Sequence, residues 1–379
     1  MQQRHPGRAV TGRYCATVQL SATRILTVDG FIADSTIVVD DVVIRAIEPC
    51  TAAAVPNRII TAGFIDVQVN GIDDIDVATA DGDDWGHLDE RLVAQGVTTW
   101  CPTLVTTALH RYAAPLQRIA AAQRRPSGGR PTIAGVHLEG PFLGGAHGAH
   151  RSGLVVAIDT GFLASLPDHV ALVTLGAEQP GAAEAIRALR ARNVVVSVGH
   201  SMASETDFDT AIDAGATLVT HLFNAMSGLH HRSPGVAAWA ITNPAVSASL
   251  IADGVHVHPR MIRLAFQALG AQRCVLVTDA VAWRAGTAGP VRIAMSDGAP
   301  RLPDGTLAGS ALTMDAAIRT CVGAGVALAD ALTAASANPA RVLGLRDRGT
   351  IAVGQRADII ALDADLRVEA VWVAGEQVR

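Results

Sequence analysis

The chain has 379 residues, 49% of them hydrophobic, and a formal net charge of −5 with no block of like charges. That balance gives a large buried core and excludes nucleic acid or an anionic membrane as the main partner. All thirty basic side chains are arginine, because lysine is absent.

The N-terminal stretch lacks the continuous apolar region of a signal peptide, and no run reaches the roughly 18 uninterrupted apolar residues of a spanning helix. Cys15, Cys50, Cys101, Cys274 and Cys321 are scattered without a CxxC pair. In so long a chain they read as reduced, mostly buried thiols. A cytoplasmic protein is expected.

In chain order, residues 16–61 hold short Val/Ile/Thr runs separated by Gly, Asp and Pro, the pattern of β-strands. Apolar runs then alternate with Ala-rich stretches of helical spacing. The predicted strands are 64–70, 97–105, 133–140, 171–178, 194–201, 218–224, 247–257 and 274–280, with helices such as 182–192 and 259–269 between them. Near-continuous apolar strands alternating with helices imply a parallel sheet buried on both faces. Eight such units point to an α/β protein with a closed (β/α)₈ TIM-like barrel. An open doubly wound sheet lacks its Gly-rich fingerprint at the first turn. Residues 349–379 return to short strands, which need partners, so both chain ends should pair as one small β-sandwich domain. The expected division is 1–61 plus 345–379 for that domain and 62–344 for the barrel.

The predicted strands are apolar until their last residues and then end in polar groups. His137 and Glu139 end the third, His200 the fifth, His221 and Asn224 the sixth and Asp279 the eighth, while His256 follows the seventh. Barrel strand ends converge on one face, where active sites are built. A single histidine there is usually structural, but several on independent strands are not. Glu139, His200 and His221 supply the two imidazoles and one carboxylate known from catalytic zinc sites. Water beside such an ion has its pKa lowered toward about 7, and Asp279 is placed to move its proton. His137 should share a strand face with Glu139, as a supporting group or as packing. His87, His110 and His169 read as surface residues, and Glu178 as either a support or a surface group.

The ordered runs FIDVQVNG (64–71), HLEGPF (137–142), GHS (199–201), HLFNAM (221–226), HRSPG (231–235), IADGVHV (251–257), TDA (278–280) and GSALTM (309–314) together resemble N-acetylglucosamine-6-phosphate deacetylases of the amidohydrolase superfamily. The resemblance covers essentially the whole chain. It implies hydrolysis of a phosphorylated amino sugar's acetamide, with one divalent metal per subunit at Glu139, His200 and His221 and Asp279 as general base and acid. Zinc suits these donors best, with iron, manganese, cobalt or nickel also compatible. It further implies substrate contacts from His256 and His150 and phosphate recognition by Arg232 and the backbone amides of Asn224 and Ala225. Arg232 would reach the neighbouring subunit's site, hence a homodimer. His147, in a second GlyAlaHis copy, competes with His150 for its role.

Many amidohydrolases carry HisXHis on the first strand to hold a second metal; here Gln68 and Asn70 stand there. Amides are weak ligands, so these two are expected to hold water or support the site. A bridging carbamylated lysine is excluded by composition. The segment Val281-Ala282-Trp283-Arg284 is bulkier than the resemblance implies and is expected to alter the acetyl or sugar pocket. N-acetylgalactosamine 6-phosphate as substrate, or a catalytically inactive barrel, are the alternatives.

Overall fold

The computed structural model describes residues 17–126 and 128–379, so Cys15 and the N-terminal reading lie outside the described residues. Eight parallel strands follow one another around the barrel: Phe64–Val69, Val97–Val105, Val136–Glu139, Val170–Leu175, Val195–Val198, Leu218–Val219, Ser247–Ile251 and Cys274–Val277. They are buried almost throughout, as the unbroken apolar runs require. Helices pack outside them on spaced apolar faces. The helix Ala182–Ala191 buries Ala182, Ala185, Ile186 and Leu189, and Pro259–Leu269 buries Ile262, Ala265, Phe266 and Leu269. These are the i, i+3, i+4, i+7 positions of one helical stripe. Pro259 opens its helix where a missing N–H costs nothing.

The first and eighth strands meet just beyond their ends. Asp279 N–H donates to the Gln68 carbonyl at 3.0 Å, and the amides of Asn70 and Gly71 donate to the Ala280 carbonyl at 2.8 and 3.0 Å. This seam sets Gln68 and Asn70 beside Asp279.

The chain ends build one β unit. Val18–Thr27, Gly30–Asp40, Val43–Pro49 and Ile59–Ala62 join Ile359–Leu362, Val368–Val373 and Glu376–Gln377 in a seven-stranded sheet. Ile59–Ala62 pairs antiparallel with Ile359–Leu362, and Ile25, Ile37, Ile60 and Trp372 belong to its separate core. The barrel with an attached β-sandwich is therefore the fold, its sandwich strands hydrogen-bonded as one continuous sheet. Cys101, Cys274 and Cys321 are buried, Cys50 is half-buried, and all four are free thiols. No helix among the described residues is long and apolar enough to cross a membrane.

The fifth, sixth and eighth strands stop short of the predicted ends, at Val198, Val219 and Val277. His200, Asn224 and Asp279 thus lie on the turns after the strands, as does His221. The physical reason is backbone conformation: His200, His221 and Asp279 have φ of 50°, 34° and 49°, a region that breaks a strand ladder and that non-glycine residues seldom adopt.

Candidate active site

Positive φ at three polar residues on three separate turns is strain concentrated in one place, a common mark of functional sites. Phe223 and Ala225, on the turn after the sixth strand, share it with φ of 78° and 48°. Gly199 has a different reason to be small. A Cβ there would come within 2.6 Å of Thr174 Cγ2 and 2.9 Å of Thr220 Cβ, so any side chain would displace His200 beside it.

The turns and the third strand bring Glu139, His200 and His221 together. Glu139 Oε1 lies 3.0 Å from His221 Nε2 and 3.3 Å from His200 Nε2, and the two imidazole nitrogens are 3.0 Å apart. Three donors around a tetrahedral ion at about 2.0–2.1 Å would be spaced by roughly 3.3 Å, so this set fits a divalent metal. His200 Nδ1–H donates to the Ala146 carbonyl at 3.1 Å, which fixes its tautomer and turns the Nε2 lone pair toward Glu139. Among the described residues, His221 Nδ1 is buried without a hydrogen-bond partner. Burial alone would raise the Glu139 carboxyl, but the His200 and His221 imidazoles beside it outweigh burial and hold it well below the usual range. Burial lowers His200; for His221 the Glu139 carboxylate overcomes burial and raises it.

Asp279 accepts from Asn70 Nδ2 at 2.6 Å and from Gln68 Nε2 at 3.1 Å. Gln68 Nε2 also donates to Glu139 Oε1 at 2.8 Å, so one amide lies between two carboxylates that would otherwise repel. Burial, and next the charge of Glu139, push the Asp279 carboxyl up to about 8.

His150, not His147, faces this group. Its Nε2 is 3.7 Å from Glu139 Oε2 and its ring packs 4.3 Å from that of His200, while His147 Nδ1 is 2.9 Å from Ser152 Oγ. Glu139, His150 and His200 also have ligand atoms within 4.8 Å of one another, so His150 stands at the edge of the metal cradle. His256 Nδ1–H donates to Asp253 Oδ2 at 2.6 Å, which fixes that ring at the cavity wall. Asp253 is the aspartate three residues before His256 in the IADGVHV run, and this hydrogen bond is the physical reason for that spacing.

His137 lies in the barrel interior, its Nδ1–H donating to the Val67 carbonyl at 3.1 Å and its Nε2 lying 2.8 Å from Thr174 Oγ1. Burial lowers it to about 4, so it is a neutral, hydrogen-bonded support. His87 and His110 are exposed, and His169 is half-buried against the Leu116 carbonyl. Glu178 accepts from the amides of Gly145 and Met202 and from Ser201 Oγ, tying the loops after the third and fifth strands to that after the fourth.

All of this opens into a cavity of about 300 Å³ whose wall includes Asn70, Asn224 and Ala225. The Asn224 amide, expected to meet phosphate, is already engaged with the His221 carbonyl at 2.9 Å. Arg232 is exposed and does not line the cavity of its own chain. Val281 does, but Trp283 faces a different depression beside Ile72 and Arg91, with the Arg284 guanidinium 4.9 Å above its ring. The bulk expected in the substrate pocket therefore points elsewhere. Arg151, which no motif sets apart from the other arginines, lines the cavity.

Residues 59–378 match the amidohydrolase family. The chain belongs to this family. It is 39% identical over 346 residues to an N-acetylglucosamine-6-phosphate deacetylase of Danio rerio, covering 85% of each chain. It is 36% identical over 371 residues to an N-acetylgalactosamine-6-phosphate deacetylase of Escherichia coli O157:H7, covering 94% of this chain and 98% of the other. A solved Mycobacterium smegmatis N-acetyl-D-glucosamine-6-phosphate deacetylase, a mutant form in complex with N-acetyl-D-glucosamine-6-phosphate, superposes with a TM-score of 0.88. That alignment has 32% identity and covers 96% of this chain and 99% of the other. This amidohydrolase is thus a hydrolase of the deacetylase group, with a divalent metal as its cofactor.

Proposed function

We propose that the enzyme hydrolyses the acetamide of N-acetylglucosamine 6-phosphate to glucosamine 6-phosphate and acetate in the cytoplasm. The observation that carries this is the convergence of Glu139, His200 and His221 with the Asn70- and Gln68-held carboxylate of Asp279 at one cavity. Residues 62–344 serve as the catalytic barrel, and 1–61 with 345–379 as the β-sandwich domain.

Glu139, His200 and His221 hold the ion, zinc by donor type. When bound, a divalent ion supplies Lewis acidity, polarising the acetamide carbonyl, lowering the pKa of water, and favouring ionised Asp279 by its charge. Asp279 takes the proton of the attacking water and passes it to the departing amine as the carbon–nitrogen bond breaks. His150 and His256 orient the acetamide and sugar from the cavity wall. Gln68 and Asn70 hold Asp279 in place, and His137 supports the barrel interior beneath it. The Ala225 amide and Arg232 meet the phosphate, Arg232 in the cavity of a second subunit, which makes the working unit a homodimer.

Amine release from N-acetylglucosamine 6-phosphate, from its unphosphorylated parent and from N-acetylgalactosamine 6-phosphate tests the reading on metal-analysed protein. Turnover of the phosphorylated glucosamine derivative is expected, with about one metal per chain. Asp279→Asn should lose roughly 10²–10⁴-fold in kcat while keeping its metal. Preference for the galactosamine epimer would favour the second reading, which the Escherichia coli relative supports. No turnover of either phosphosugar by the metallated enzyme would sink both. Arg232→Ala is expected to weaken phosphosugar use, and sedimentation should give a dimer.

A further inference from the structure

A phosphorylated sugar brings nearly two negative charges to a cavity whose inner end already holds the carboxylates of Glu139 and Asp279. It needs a cation at the outer end. The sequence contains no lysine, and Arg232 lies outside the cavity of its own chain. Among the described residues lining that cavity, the one arginine is Arg151.

Three features fit Arg151 for that task. It directly follows His150, whose ring is fixed against His200 and Glu139, so its backbone is anchored at the reacting end. The loop around it is tied down, with His150 N–H donating to the His147 carbonyl at 3.0 Å and Leu154 N–H to the Arg151 carbonyl at 2.9 Å. Its side chain is exposed and makes no hydrogen bond or ion pair among the described residues. Other arginines are pinned: Arg348 by Asp347 and Asp358, Arg273 by the carbonyls of Asn243 and Val246. Arg151 thus offers an unengaged fork of donors on a residue that lines the substrate space.

We propose that Arg151 binds the substrate phosphate from within the same chain, by the paired charge-assisted hydrogen bonds that a guanidinium makes to an oxyanion. This rests on the deacetylase reading above. Each site then has its own cation and does not depend on Arg232 of a neighbour alone.

The test measures turnover and, separately, calorimetric binding of glucosamine 6-phosphate and glucosamine to the metal-loaded wild type, Arg151→Ala, Arg151→Lys and Arg232→Ala. Arg151→Ala should raise KM for the phosphosugar roughly ten- to a hundredfold with kcat changed far less. Its preference for phosphorylated over unphosphorylated sugar should fall by the same factor. Arg151→Lys should recover part of the loss, which a merely structural role for the side chain would not produce. An unchanged phosphosugar KM in Arg151→Ala, with a loss in Arg232→Ala, would overturn the proposal and leave the deacetylase reading intact. Absent turnover with phosphosugar binding that still depends on Arg151 would overturn the reaction and leave the anion site standing. Absent turnover with binding indifferent to Arg151 would overturn both.

Discussion

Gln68 shows how one side chain can govern the chemistry of two others. Its Nε2 is within hydrogen-bond distance of Glu139 Oε1 and of Asp279 Oδ1, and it is buried. A donor to a carboxylate favours the charged form, so removing it raises the pKa. Gln68→Ala should therefore move the acid limb of the kcat/KM profile to higher pH and lower activity at neutral pH by roughly 10–100-fold. A pH–rate series on the variant at matched metal content checks this, and a profile superimposable on wild type would refute it. The residues that could be read from sequence were those whose type announces their chemistry: histidines and carboxylates at successive strand ends. Gln68 stands out in the sequence as a departure from HisXHis, with a water-holding or supporting role expected of it. Its bridging position depends on the seam between the first and eighth strands, more than two hundred residues apart, which spacing along the chain does not reveal. Arg151 was invisible for the opposite reason, being one of many arginines with only a loop around it.

At the level of elements, the strand–helix alternation was legible because strands buried on both faces are apolar throughout, and each helix keeps an apolar stripe. The strand ends were not. A run such as VVVSVGHS reads as extended to its last residue, whereas the ladder stops at Val198 and His200 turns to φ of 50°. That turn needs outside support, and Glu178 gives it. Its carboxylate holds the amide of Met202 at 2.6 Å, Ser201 Oγ at 2.5 Å and the amide of Gly145 at 2.8 Å. It thereby links the turn carrying His200 to the loop that leads to His150. Glu178→Ala should cost about 1–3 kcal/mol of stability and, by loosening His200, weaken metal retention about tenfold or more. Thermal unfolding and metal loss against a competing chelator would report the two effects. A lower melting temperature with unchanged metal retention would confine Glu178 to a structural role.

For the whole molecule, the barrel must close between its first and last strands, and a buried acid sits in that seam. Asp66 Oδ2 accepts from Thr278 Oγ1 at 2.6 Å, both its oxygens lie 3.3 Å from the Thr278 amide, and Oδ1 accepts from the Gln68 amide at 3.2 Å. Burial, only partly opposed by these hydrogen bonds, pushes its carboxyl up to about 7. In the unfolded chain it returns to about 4. Between those values the folded state holds a proton that the unfolded state lacks. Asp66 therefore contributes its full stability below about pH 4 and loses it as pH rises through about 7. Asp66→Asn keeps an acceptor oxygen of the same shape but does not ionise. Relative to this variant, wild type should lose about 2–3 kcal/mol between pH 5 and pH 8. Urea unfolding of both proteins at equal metal content, read from midpoints at an unchanged slope, measures the difference. Parallel pH profiles would mean that the seam holds Asp66 in one ionisation state throughout. Its three donors would then outweigh burial, and the barrel would be closed by an anion rather than by a neutral acid.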